Sequence, residues 1–137
     1  MPWAILDTNT YVDKWDGVLP PSRFDEIEKT FIIRHSSVVL SELRRGAQTP
    51  AEHRLVESLF NLAKVQWAPL ADDWWRAGDV VRRVGARQHW DPHRKRAFQN
   101  DTLIALTARR HGATVVTSDR DDFQHLRREL GVPILFV

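Results

Sequence analysis

The sequence contains no cysteine. That excludes disulfide staples, zinc–thiolate sites and a cysteine nucleophile, and it fits a reducing compartment. No apolar run approaches the roughly 18 residues that a membrane span needs. The N-terminus, Met1-Pro2-Trp3-Ala4-Ile5-Leu6-Asp7, lacks the basic start and long apolar core of a signal peptide. A soluble, cytoplasmic protein is expected. There is also no linker, repeat or low-complexity tract.

What is present is an ordinary globular composition: 42% hydrophobic and 28% charged residues over 137 positions. That length predicts a single domain, residues 1–137, able to bury a core without staples. The formal charge is only +2, so its distribution matters more than its sum. If Asp7, Glu42, Asp101, Asp119 and Asp122 form one cluster, thirteen other acids face twenty Lys and Arg, a net +7 elsewhere. An acidic point on a basic body suits a divalent cation and a polyanion together.

Short apolar runs alternate with longer amphipathic ones. Ala4–Leu6, Thr30–His35, Val65–Trp67, Ala113–Thr117 and Pro133–Val137 read as strands. Thr8 or Asn9 could cap a short helix carrying Tyr11, Val12 and Trp15, and helices are expected over Ser22–Lys29 and from Ser36 or Ser37 to Arg45 with Gly46 as the stop. Further helices are expected from Pro50, over Ala71–Gly85, over Gln99–His111 and over Asp121–Leu130. The segment Arg82–Arg96, with Gly85, Trp90 and Pro92, reads as the least regular part. This alternation predicts an α/β fold with a parallel sheet of four to five strands, covered by helices on both faces.

In such sheets, ligands bind beyond the carboxyl ends of the strands. Asp7 directly follows the first strand, and Asp119 lies two residues past the fourth. Glu42 falls in the helix leaving the second strand. Asp101 is expected in the first turn of the helix that feeds the fourth. Carboxylates gathered this closely need a cation to stay ionised. Oxygen-only donors favour Mg²⁺ or Mn²⁺ over zinc.

Four segments together resemble the motifs of PIN-domain nucleases. They are Leu6-Asp7-Thr8-Asn9, then Leu40-Ser41-Glu42-Leu43-Arg44-Arg45-Gly46, then Asn100-Asp101-Thr102-Leu103-Ile104-Ala105-Leu106-Thr107-Ala108, and finally Thr117-Ser118-Asp119-Arg120-Asp121-Asp122-Phe123. The resemblance implies a three-layer α/β/α fold and a Mg²⁺- or Mn²⁺-dependent endoribonuclease, the VapC-like toxin of a type II toxin–antitoxin pair. It implies that Asp7, Glu42, Asp101 and Asp119 are catalytic and bind metal. Asp122 is a further metal-binding helper, and Asn9 and Thr117 support the site. It also implies a homodimer and an antitoxin near the active-site groove.

Each acid alone has an ordinary reading. Asp7 could cap a helix, Glu42 could be a solvated helix residue, and Asp101 could complement a helix dipole. Asp119, Asp121 and Asp122 could be a turn with a helix start. All four motifs in order argue against coincidence. A non-catalytic PIN-type RNA- or protein-binding module remains the alternative. A phosphatase with Asp7 as nucleophile is disfavoured, because position 9 is Asn and the last lysine is Lys95.

The basic stretch Arg82, Arg83, Arg87, Arg94, Lys95, Arg96 surrounds His89, Trp90 and His93. It reads either as an RNA-phosphate surface with an aromatic stacking option or as a solvated helix face. Arg87, Arg94, Lys95 and Arg96 are its candidate RNA contacts. Arg44 and Arg45, beside Glu42, could clamp a phosphate. The neighbours Trp74 and Trp75 cannot share one core, so an exposed one could mark an interface. The region of Trp15, Phe24 and Ile27 is a second candidate interface.

Overall fold

The computed structural model describes residues 1–137. The elements run β1 (Trp3–Leu6), α1 (Thr8–Trp15), α2 (Pro21–Thr30), β2 (Ile32–Ser36), α3 (Ser37–Gly46), α4 (Pro50–Leu62) and β3 (Gln66–Trp67). Then follow α5 (Ala71–Gln88), α6 (Pro92–Arg110), β4 (Thr114–Thr117), α7 (Arg120–Leu130) and β5 (Ile134–Phe136). Five strands form one sheet in the order β3-β2-β1-β4-β5, and every pairing is parallel. No helix is long and apolar enough to cross a membrane.

The central strands explain themselves. Ala4, Ile5 and Leu6 of β1 and Val115 and Val116 of β4 are all buried, as strands covered on both faces must be. Leu6 pairs with Val116. The ladder then continues one step, because the Asp7 N–H donates to the Val116 carbonyl at 2.9 Å. From β1 the chain winds outward to β2 and β3, then returns to the other side of β1 with β4. The strand order therefore reverses between β1 and β4, and connections diverge there to leave a crevice at the carboxyl ends.

Helix starts follow local capping chemistry. The Ser36 hydroxyl accepts from the Val39 N–H, so Ser36, not Ser37, caps α3. Thr49 caps α4 ahead of Pro50. Asp119 caps α7, accepting from the Asp122 N–H at 3.1 Å, and Gly131 closes that helix in the left-handed conformation. Phe98, Phe123, Ile27 and Leu126 are among the largest fully buried side chains of the main core. A smaller cluster, Ala77, Leu103 and Leu106, joins α5 to α6.

Three expectations need correction. The Arg82–Arg96 segment is not irregular: α5 runs on to Gln88 and α6 begins at Pro92. Only three residues separate them, and His89 takes the left-handed conformation with φ 56°. The apparent breakers are start signals. Pro92 lies in the first turn of α6, and Asp91 caps it by accepting from the Arg94 N–H at 2.7 Å. Gly85 sits inside α5 because the stem of Lys95 packs there; a Cβ would meet its carbons at 2.9–3.2 Å. Second, Asp101 consequently lies in the third turn of α6, well inside the helix, and not in its first turn. Third, Phe24 and Ile27 are core residues and present no free surface.

Candidate active site

The crevice beside β1 and β4 gathers acids from four elements. Asp7 follows β1 and is only 3% exposed. Its carboxylate accepts from the Thr8 N–H at 2.7 Å and from the Thr117 hydroxyl at 2.8 Å. The same Thr117 oxygen accepts from the Asp119 N–H at 3.0 Å. One hydroxyl thus ties the end of β1 to the loop after β4. Across the crevice, the Thr8 hydroxyl donates to Glu42 of α3 at 2.8 Å. Carboxylate oxygens of Asp101, Asp119 and Asp122 all lie within 4.8 Å of one another.

These charges are poorly tolerated as they stand. Burial raises Asp7 to about 6; the bonds from Thr117 and Thr8 oppose this, and the charges of Glu42 and Asp119 add to it. Asp101 is held far above the usual carboxylate range. Burial is the main cause, followed by its side-chain contact with Asp122 and the charges of Asp7, Asp122 and Asp119. Asp119 is raised as well, first by burial and then by Asp122 and Asp121, against the Asp122 N–H and Arg94. Each acid named lacks enough positive partners nearby. The donor set is all oxygen, crowded, and half or more withdrawn from water. It fits a hard divalent cation.

A family profile described as "PIN domain" matches residues 4–129. The chain belongs to the PIN-domain family. Solved structures share the fold. VapBC2 from Rickettsia felis, bound to a DNA fragment from its promoter, is 23% identical with a TM-score of 0.71, covering 98% of each chain. DNA-bound VapBC from Salmonella typhimurium is 23% identical with a TM-score of 0.68, covering 99% of this chain and 98% of that one. VapBC-5 from Mycobacterium tuberculosis, a member of the VapBC family of toxin–antitoxin systems, is 25% identical with a TM-score of 0.62, covering both chains fully. A search of curated proteins found no significant match.

With the PIN fold in hand, the remaining expected residues can be placed. Thr117 is buried between Asp7 and Asp119. Asn9 is exposed and makes no side-chain hydrogen bond to the acids. Its neighbour Thr10 is the buried hydroxyl, bonded to the Val116 carbonyl at 3.0 Å. Asp122 is buried and accepts a hydrogen bond from the Arg94 guanidinium. Arg87 is committed to Glu129, as is Arg83 at 2.8 Å. Lys95 lies half-buried on Gly85. Arg44, Arg45 and Arg96 are exposed and enter no ion pair of the chain. Trp74 and Trp75 are both exposed, at 50% and 83%.

Two roles at the PIN site are not evident in the sequence. Thr8 reads there as a possible cap, yet Asp7 caps α1 and Thr8 holds Glu42. Arg94 reads as a candidate RNA contact, yet it also reaches the acidic cluster through Asp122. The position of Thr8 directly after Asp7 is the one signal that could have flagged it. The Arg94–Asp122 contact spans 28 residues and has no local signature.

Proposed function

We propose that this PIN domain is a Mg²⁺- or Mn²⁺-dependent endoribonuclease and the toxin half of a toxin–antitoxin pair. The observation that carries the reading is the unbalanced acidic cluster at the crevice between β1 and β4. Asp7, Glu42, Asp101 and Asp119 would hold the cation. When bound, a divalent ion supplies Lewis-acid stabilisation of phosphoryl charge and a more acidic water. The chain's own residues do the orienting. Thr117 fixes Asp7 and Asp119 together, and Thr8 fixes Glu42 across from them. The exposed Arg44, Arg45 and Arg96 offer cations to RNA phosphates beyond the metal, with Arg94 beside the cluster, whereas Arg87 is engaged by Glu129.

The partner reading rests on an open apolar groove that begins at the site. It measures about 240 Å³ and is lined by Thr8, Val12, Trp15, Glu42, Leu43 and Leu55, among others. An apolar antitoxin segment laid there would cover Glu42. The exposed Trp74–Trp75 pair is the place for a second copy of the chain. Size-exclusion chromatography with light scattering, on wild type and Trp75→Ala, tests the homodimer.

The central test uses labelled single-stranded RNA with purified protein in Mg²⁺, Mn²⁺ or EDTA. Cleavage is expected with either metal and not in EDTA. It is expected to vanish in Asp7→Asn/Asp101→Asn. Cleavage that survives in the double variant overturns the assignment. RNA retained without cleavage in either metal would instead identify a non-catalytic binding module.

A further inference from the structure

Arg94 is the one cation that the fold delivers into the acidic cluster. It stands in the first turn of α6, seven residues before Asp101, so both residues face the same way along the helix. Its guanidinium donates to Asp122 and lies 4.0 Å from the centroid of the Trp90 ring. Trp90 is itself immobilised. Its backbone N–H donates to the Gly85 carbonyl at 2.9 Å, and its ring packs edge-on against buried Phe98 and against His125. An arginine held on an aromatic face and hydrogen-bonded to a carboxylate has its plane fixed in advance. Its side chain makes this one hydrogen bond and keeps 35% exposure, which leaves guanidinium donors for a further partner.

We propose that Arg94 is a substrate-binding residue that grips a phosphate of the nucleic-acid strand beside the scissile one. Trp90 and Asp122 are its positioning residues. Asp122, though it stands among the metal-binding acids, serves as the anchor of Arg94 and not as a ligand of the cation. The geometry separates the two roles. Asp101 and Asp119 face the crevice without a basic hydrogen-bond partner, whereas Asp122 already has one. A guanidinium is the better choice for a phosphodiester at this place, because its fork matches two phosphate oxygens at once. The inference rests on the nuclease reading above and gives one of its candidate RNA contacts a defined place and anchors.

The test separates binding from cleavage. Binding of a labelled single-stranded RNA 12-mer, and of DNA of the same sequence, is followed by anisotropy in EDTA across a salt series. Mn²⁺ binding is followed by calorimetry. For Arg94→Ala, affinity is expected to fall about tenfold for both strands. The salt dependence should also shrink by roughly 0.7 in the slope of log K against log salt, one phosphate's worth. Arg94→Lys should recover part of the affinity. Asp122→Asn should match Arg94→Ala in strand binding, add nothing in the double variant, and weaken Mn²⁺ by less than about threefold. Asp119→Asn is the control for a true ligand, with a loss of about tenfold or more. Wild-type strand binding and salt slope in Arg94→Ala overturn the proposal. So does a ligand-sized loss of Mn²⁺ affinity in Asp122→Asn, or a loss confined to RNA, which would mean that Arg94 reads the 2′-hydroxyl. If wild type binds the strand and never cuts it, the nuclease reading fails while the Arg94 measurements still decide their own question.

Discussion

Two charged regions of this molecule differ in kind. Along α5 and α7, charges are matched. Glu129 is 7% exposed at its side chain and is gripped by Arg83 and Arg87, while Asp79 holds Arg82 and Arg83. Burial pushes Glu129 up, but the bonds and charges of Arg87 and Arg83 prevail and leave it below its ordinary value. At the crevice between β1 and β4 the opposite holds. Asp7, Asp101 and Asp119 all stand above their ordinary values, because burial and mutual repulsion exceed the help that neighbours give. Matched charge is a device of the fold. Unmatched charge, kept in place by buried hydroxyls, marks a site waiting for something positive.

The sharpest way to break this contrast is to remove the unmatched charge. Asp7→Asn/Asp101→Asn should lower metal-dependent RNA cleavage on the order of 10³-fold or more, read as single-turnover rates. The same variant should melt at a higher temperature than metal-free wild type, since it relieves the repulsion. A lower melting temperature would mean that the acids are structural after all.

Next in size is the hydroxyl that joins the two strand ends. Thr117→Val keeps the shape and removes the donor to Asp7 and the acceptor for the Asp119 N–H. Metal affinity or cleavage should drop roughly 10- to 100-fold, as for other groups that orient ligands. An unchanged Mn²⁺ isotherm would show that Asp7 does not need this partner.

Acid titration of the metal-free protein sharpens the contrast further, because the two regions respond with opposite sign. Asp7 has a raised value in the folded state, so its protonation favours the fold. Stability should rise as pH falls from about 6 toward 3.8, by roughly 3 kcal/mol for this group alone. Glu129 has a lowered value, so its stabilisation is present above the ordinary value near 4.5 and is lost as pH falls below it. Denaturant melts between pH 7 and 3 should therefore pass through a maximum. Saturating Mg²⁺ should remove the rise. A melt series that only declines with acid would contradict the unmatched state of Asp7.

The smallest effect belongs to the matched region. Glu129→Gln should cost about 1–2 kcal/mol in denaturant melts and leave cleavage within about twofold of wild type. A large loss of cleavage with normal stability would move α5 and α7 into the functional part of the molecule.

Strand positions were legible in the sequence because central parallel strands are buried on both faces. Ala4–Leu6 and Val115–Val116 have no alternative reading as amphipathic elements. The motif order around Asp7, Glu42, Asp101 and Asp119 was legible for the same kind of reason, since each acid sits at a fixed offset from a strand or helix. The joint between α5 and α6 was not. Gly85, Trp90 and Pro92 are breakers in isolation, and only the packing of Lys95 on Gly85 and the capping by Asp91 turn them into a tight helix–helix corner. The Arg94–Asp122 contact was hidden because its two partners meet only after that corner is built.

That corner makes α6 a ruler. Its third turn carries Asp101 and its first carries Arg94, separated by roughly 10.5 Å along the axis and by almost two whole revolutions. The phase between them is set by the helix alone. Inserting a single residue at position 96 would swing Arg94 by about 100° relative to Asp101 and carry it off Asp122, with Asp7, Asp101 and Asp119 unchanged. Such a chain would keep its cluster and lose its measure of the strand.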